Sequence, residues 1–290
     1  MAVAMALREI DLENLDEREK HKISVIGCGR IGLATACLFS EANFKVTCYT
    51  PDPYLVNQIN QGISIFDEPE LHRMLKKNLR KNRLTATTNP KVAVSECDII
   101  ILSADLPVDG KNRPVYSGLE ATCRTMGLYL QPGSLIIVQS ILPPSITENL
   151  IIKTLEKSSG LEAGVDFGLA YSPVKVPVGA VIKYLKKHDR IIAAINEQSM
   201  RAGKALLKIV TKGELFEVSN IKTAEAAALF GDVYQDVCVA LSNELASLCE
   251  KIGIDYIEAR IAANKQLNCC LLYTSPSPRD LSTSRMPSSA

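Results

Sequence analysis

Val25-Ile26-Gly27-Cys28-Gly29-Arg30-Ile31-Gly32 places three glycines at G-x-G-x-x-G spacing near the start of a 290-residue chain. Ahead of it, Ile23–Ile26 is a short apolar run of strand length. Behind it, Ile31–Asn43 has a helical pattern. The glycines therefore fall where a strand turns into a helix, which is the context that gives this spacing its meaning. Gly27 permits the tight turn, Gly29 lets a pyrophosphate approach the backbone, and Gly32 allows close packing of helix on strand. The exposed N–H groups at the helix start add a partial positive charge for phosphate. Cys28 inside the loop reads as a small packing residue rather than a reactive thiol.

The second strand is expected at Phe44–Tyr49, and an acid for the ribose hydroxyls belongs at its end, roughly 20 residues after the first glycine. Thr50 stands there instead, and Asp52 follows in Thr50-Pro51-Asp52-Pro53. Two roles stand side by side for Asp52: a ribose contact, or a turn residue between prolines. No Arg follows that would hold a 2′-phosphate, so NADP is not favoured, and the missing acid predicts weakened NAD binding.

Further along, within Asp98–Leu102 and Ser134–Gln139, the runs Ile99–Leu102 and Leu135–Val138 are short and apolar throughout, as parallel strands buried on both faces are. Leu169–Tyr171, Arg190–Ala193 and Phe216–Val218 add strand candidates, while Tyr54–Asn60, Pro69–Asn82 and Met200–Val210 have helical patterns. Alternating strands and helices predict an α/β fold with a Rossmann-type, doubly wound parallel sheet over residues 22–217. The Lys183–Arg190 run with His188 reads as a solvated basic turn, with a phosphate contact as the alternative. Beyond Ser219, Ile221–Gly253 is one long helical pattern with an apolar stripe at Ala224, Ala228, Val237, Leu241, Leu245 and Leu248. A stripe on so long a helix predicts a partner helix or a second subunit. Tyr256–Ala263 begins the next helix, and 218–269 is expected to form a helical domain.

Composition narrows the function classes. With 33 basic and 32 acidic residues, the chain has no overall pull toward nucleic acid or an anionic membrane. No run reaches the ~20 apolar residues that a membrane span needs. Residues 1–21 read as an N-terminal extension, in which Met1–Leu7 lacks the basic lead of a secretory signal. Nine cysteines without a CxxC pair predict neither a disulfide framework nor a zinc site, and no metal is expected. They fit buried thiols in a reducing cytoplasm. From Cys270 the chain reads Cys-Leu-Leu-Tyr-Thr-Ser-Pro-Ser-Pro-Arg-Asp and ends Pro-Ser-Ser-Ala. This resembles translated sequencing adapter, so 270–290 is expected to be a non-native tail and the natural chain to continue differently past Asn268.

Several separated stretches then line up. They are the glycine loop, Val56-Asn57-Gln58-Ile59-Asn60-Gln61-Gly62, Glu68-Pro69-Glu70-Leu71, Ser140 to Thr147, and Asp166 to Pro173. Thr223-Ala224-Glu225, Ala240 to Ala246 and Cys249 to Asp255 follow. In this order, over Lys22 to Lys265, the chain resembles the UDP-glucose/GDP-mannose dehydrogenase family of nucleotide-sugar 6-dehydrogenases. The resemblance implies oxidation of a sugar CH2OH to a carboxylate with two NAD, for polysaccharide precursors. It implies a long helix that makes a homodimer, and a further C-terminal nucleotide-binding domain. Cofactor contacts are expected from Gly27, Cys28, Gly29, Arg30, Ile31 and Gly32, with Thr50, Asp52, Pro107 and Ser140. A substrate loop is expected to include Lys175, Val176 and Gly179.

The catalytic positions that the resemblance points to are altered. Where the family has the acid and Arg of SPERxxPG, this chain has Val174 and Lys175. Where it has the Lys and Asn of AExxKxxxN, there are Ala228 and Asp232. Its Thr and Gly of ST-x-x-PG are Ile141 and Ser145, and its VPTP loop is Ala104-Asp105-Leu106-Pro107. A valine accepts no proton and an alanine stabilises no oxyanion. Sugar oxidation is therefore expected to be impaired. The alternatives are a non-catalytic homologue that binds NAD or a nucleotide-sugar, or pairs with an active paralogue through Ile221–Gly253, and a dehydrogenase with a changed substrate such as a hydroxyacid.

Overall fold

Lys22–Ile26 (β1) is buried at every residue after its first, because strands lie on both sides of it and helices cover both its faces. The computed structural model describes residues 14–177 and 179–267. The remaining strands are Lys45–Tyr49 (β2), Leu84–Thr87 (β3), Ile99–Leu102 (β4) and Leu135–Val138 (β5). Gly168–Tyr171 (β6), Arg190–Ala194 (β7) and Leu215–Glu217 (β8) complete the set. They form one sheet in the order β3-β2-β1-β4-β5-β6-β7-β8. Every neighbouring pair is parallel except β6 and β7, which run antiparallel with Ala170 opposite Ala194. The expected Rossmann-type sheet is present, with that one antiparallel pair.

Alternation along the strands divides the core. Ile99 and Ile101 enter one hydrophobic cluster with Phe39, Phe44, Leu75 and Leu206. Ile100 and Leu102 enter the other with Cys123, Ile151, Leu155 and Tyr171. Successive side chains of a strand point to opposite faces, so β4 must be apolar throughout to serve both clusters. The helix Arg30–Glu41 buries every residue from Gly32 to Ser40, and its Leu33, Ala34, Ala36, Cys37, Leu38 and Phe39 enter the first cluster.

Several elements differ from expectation or were not expected. β3 alternates buried and exposed residues at the edge of the sheet. The helix Ser117–Gly127 and the π-helical segment Thr147–Ile152 that runs into the helix Lys153–Ser159 cover the second cluster. Lys183–Arg190 is not a solvated turn. Val181, Ile182 and Leu185 form the buried face of the helix Val181–Lys187, and Arg190, itself buried, opens β7.

The chain divides into two units, Met1–Ala226 and Ala227–Ala290, within the helix Ile221–Ile252. In the first unit Ile221 and Ala224 belong to the second core cluster. In the second, Gly253 takes a φ of 74° after the helix, and Asp255 Oδ1 accepts the Ile257 amide at 2.7 Å to start the helix Tyr256–Leu267. The expected non-native tail, 270–290, lies outside the described residues, as does most of the N-terminal extension. Among the described residues no helix is long and apolar enough to cross a membrane.

Candidate dinucleotide site

The sheet order reverses between β1 and β4, and in open α/β sheets ligands bind outside the carboxyl ends of the strands at that point. A cleft of about 320 Å³ lies there. Gly29, Arg30 and Ile31 line it after β1, and Ala104 and Asp105 after β4. Gln139, Ser140 and Ile141 line it after β5, and Val174 after β6.

The glycine loop is built on close backbone contacts. Gly27 has a φ of 95°, and a Cβ there would lie 2.3 Å from the Ser103 carbonyl oxygen. A Cβ on Gly32 would lie 1.9 Å from the Gly27 oxygen, so helix and loop meet only without a side chain. Gly29 is the N-cap of Arg30–Glu41 and makes no side-chain cap, leaving the helix start open toward the cleft. Cys28 is buried and its thiol donates to the Tyr49 carbonyl at 3.3 Å, a packing contact. Thr50 is buried at the end of β2. Asp52 Oδ1 accepts the Tyr54 amide at 2.9 Å and so caps the helix Pro53–Asn60.

On the cleft floor, Ser140 Oγ donates to the Ala104 carbonyl at 2.6 Å, tying the ends of β4 and β5 together. Thr35 Oγ1 donates to Gln139 Oε1 at 3.1 Å. Gln139 is 2% exposed, and its Nε2 has no hydrogen-bond partner among the described residues. A buried amide left unpaired is costly, so this donor fits a ligand acceptor in the cleft. The missing side chain at Gly29, the open helix start and this donor together fit a dinucleotide.

Val174 is buried within the first core cluster while also lining the cleft. The loop after it is held by Glu68, which is 4% exposed. Glu68 Oε1 accepts the Gly179 amide at 2.8 Å and Oε2 accepts the Val181 amide at 3.2 Å. Arg30 Nη1 donates to Glu68 Oε1 at 3.2 Å and to the Pro177 carbonyl at 2.6 Å, and Nη2 donates to the Val176 carbonyl at 2.6 Å. The Arg of the glycine loop is thus committed to the 176–181 loop. Lys175 is exposed, Val176 is buried, and Gly179 has a φ of 89°. Behind the same segment, buried Arg190 donates through Nη2 to the Ser172 carbonyl at 3.1 Å, and burial lowers its pKa to about 10.

Of the residues expected at the site, Gly29, Arg30, Ile31, Ser140, Ile141 and Val174 meet in the cleft. Thr50, Asp52, Pro107, Lys175, Val176 and Gly179 are not among its lining residues. Ala228 and Asp232 lie one turn apart on the helix of the second unit. The structural roles of Glu68, Gln139 and Glu225 had no signal in spacing. Glu68 and Glu225 stood in matched stretches, but their hydrogen bonds are to backbone amides far along the chain.

The family model described as UDP-glucose/GDP-mannose dehydrogenase family, NAD binding domain, matches residues 21–211. The UDP-N-acetyl-D-mannosamine dehydrogenase of Pyrococcus horikoshii is 33% identical over 243 residues, 84% of this chain and 57% of that protein. The enzyme of that name from Methanococcus maripaludis is 30% identical over 268 residues, 89% of this chain and 60% of that protein. The solved structure of the Pyrococcus horikoshii UDP-D-ManNAc dehydrogenase superposes with a TM-score of 0.82 at 32% identity, covering 87% of this chain and 60% of that one. The chain therefore spans less than two thirds of the length of these relatives. With its sheet order, its glycine loop and a family match over residues 21–211, the chain belongs to the UDP-glucose/GDP-mannose dehydrogenase family, whose NAD-binding domain it carries.

Proposed function

We propose that this chain binds NAD in the cleft between β1 and β4, and that its oxidation of a nucleotide-sugar CH–OH group is impaired. NAD, when bound, takes hydride from the alcohol carbon. The protein must supply a group for the alcohol proton and donors for the developing charge. The observation that carries the proposal is Val174, an apolar side chain packed into the core where the matched motif has a carboxylate. Ile141, in place of a threonine, adds a second apolar wall to the cleft. Removing a single transition-state donor costs about 10²–10³-fold in kcat. Ala228 and Asp232 extend the loss to the matched positions on the long helix.

The names of the relatives make UDP-N-acetyl-D-mannosamine the first nucleotide-sugar to test. Buried free thiols at Cys28, Cys37, Cys48, Cys97 and Cys123 support work in the reducing cytoplasm. A second, compatible role is pairing with another copy or with an active paralogue through the helix Ile221–Ile252. Phe230, Val233, Val237, Leu241 and Leu248 are exposed along it, Phe230 to 71%. Contiguous apolar exposure of this kind marks interaction surfaces. Calorimetric titration with NAD tests the binding half of the proposal. Saturable heat is expected, and none at millimolar NAD contradicts it.

A further inference from the structure

The cleft holds one charge that its other residues do not balance. Asp105 follows β4 and faces the glycine loop. Its Oδ2 and Oδ1 lie 3.5 and 3.9 Å from the point where a Cβ on Gly29 would stand. Asp105 is exposed and makes no hydrogen bond or ion pair among the described residues. The cation beside it, Arg30, is the one basic residue among those lining the cleft, and Glu68 and the carbonyls of Val176 and Pro177 occupy it.

A missing side chain at Gly29 brings a pyrophosphate against the backbone. The amides at the start of Arg30–Glu41 attract that group, and Asp105 opposes it from across the loop. We infer that Asp105 sets the affinity of the cleft for dinucleotides, holding it down by repulsion of the pyrophosphate. The effect acts through charge, so it falls on phosphate-bearing ligands and spares a neutral nucleoside. The inference rests on the proposed NAD binding.

Because Asp105 has no partner to lose, Asp105→Asn and Asp105→Ser are expected to fold and melt as the parent does. Calorimetry then compares NAD, ADP and adenosine on the three proteins. At low ionic strength both variants are expected to bind NAD and ADP about tenfold more tightly, the size of a unit charge acting over several ångströms in a partly screened site. Adenosine affinity is expected to stay the same, and the gain for NAD to shrink in about 1 M salt, where charges are screened within ~3 Å. Unchanged NAD affinity in both variants overturns the inference, as does an equal gain for adenosine. A gain for Asn alone also overturns it, because an amide hydrogen bond and not charge is then responsible. Absence of NAD binding by all three proteins overturns both this inference and the proposed function, whereas equal binding by all three overturns the inference alone.

Discussion

Glu225 Oε2 accepts the backbone amide of Ser145 at 2.5 Å, and its Oε1 accepts that of Thr147 at 2.8 Å. Glu225 is fully buried, so its carboxylate is the anchor of the turn that follows β5 and carries Ser140 and Ile141 to the cleft. That anchorage holds Ser145 at a φ of 73°, a left-handed conformation that a side chain resists. Ser145→Gly is therefore expected to stabilise the protein by about 0.5–1 kcal/mol, a melting-temperature rise of a few degrees in differential scanning calorimetry. A fall in melting temperature contradicts the strain. Glu225→Ala leaves a buried amide at Thr147 and a part-buried one at Ser145 unpaired and is expected to cost about 2–4 kcal/mol.

The Arg30–Glu68 pair makes a second testable joint. Removing the Glu68 carboxylate strands the amides of Gly179 and Val181 and leaves the Arg30 guanidinium without its counterion. Glu68→Ala is expected to destabilise by about 3 kcal/mol, and the 174–181 loop is expected to open. Lys175 is exposed, so trypsin reports on the loop. Faster cleavage after Lys175 is expected in Glu68→Ala, with Glu68→Gln between it and the parent. Equal cleavage rates mean that the pair does not hold the loop.

Thiol chemistry tests the core. Burial pushes the thiols of Cys37, Cys97 and Cys123 up to about 12. A thiolate is the reactive form, so at neutral pH these cysteines are expected to resist iodoacetamide until the protein unfolds. Of the described cysteines, Cys238 and Cys249 are partly exposed and are expected to label first in peptide mass spectrometry. The same shifts carry a pH dependence. In the unfolded chain these thiols ionise near 9 and in the folded protein near 12, so the folded state binds more protons between those values. Their contribution to stability is complete below pH 9 and is lost as the pH rises from 9 toward 12. Denaturation midpoints that stay level across that window contradict the shifts.

The apolar face of Ile221–Ile252 predicts association. Sedimentation is expected to show a dimer at micromolar concentration, and Val237→Glu combined with Leu241→Glu is expected to shift it at least tenfold toward monomer, because each buries a charge in an apolar contact. A parent protein that sediments as a monomer removes the homodimer and leaves pairing with a paralogue to be sought by mixing the two chains.

The parts of the fold that were legible in the sequence are those where one residue type has one physical use. Ile99–Leu102 and Leu135–Val138 had to be apolar throughout because both faces are covered, and that run is visible in the sequence. Gly27 and Gly32 were legible for the same reason, since only a missing side chain fits against Ser103 and Gly27. Leu84–Thr87 escaped because an edge strand of alternating burial, Leu-Thr-Ala-Thr, carries little apolar signal. Ser117–Gly127 escaped because its buried face is only Leu119, Cys123, Met126 and Gly127. The basic run ending at Arg190 misled because its charges flank apolar positions and Arg190 turns inward to a carbonyl. At the site, Glu68 reaches Gly179 across 111 residues and meets a backbone amide, a partner that leaves no mark in residue identity.

NADH formation separates a retained dinucleotide cleft with impaired oxidation chemistry from a working dehydrogenase. The protein, shown by calorimetry on the same sample to be saturated with NAD, is mixed with UDP-N-acetyl-D-mannosamine and NADH absorbance is followed. No NADH above a protein-free control is expected, because Val174 and Ile141 supply neither proton acceptor nor oxyanion donor. Sustained NADH production at an ordinary enzymatic rate, about 1–10³ s⁻¹, contradicts it.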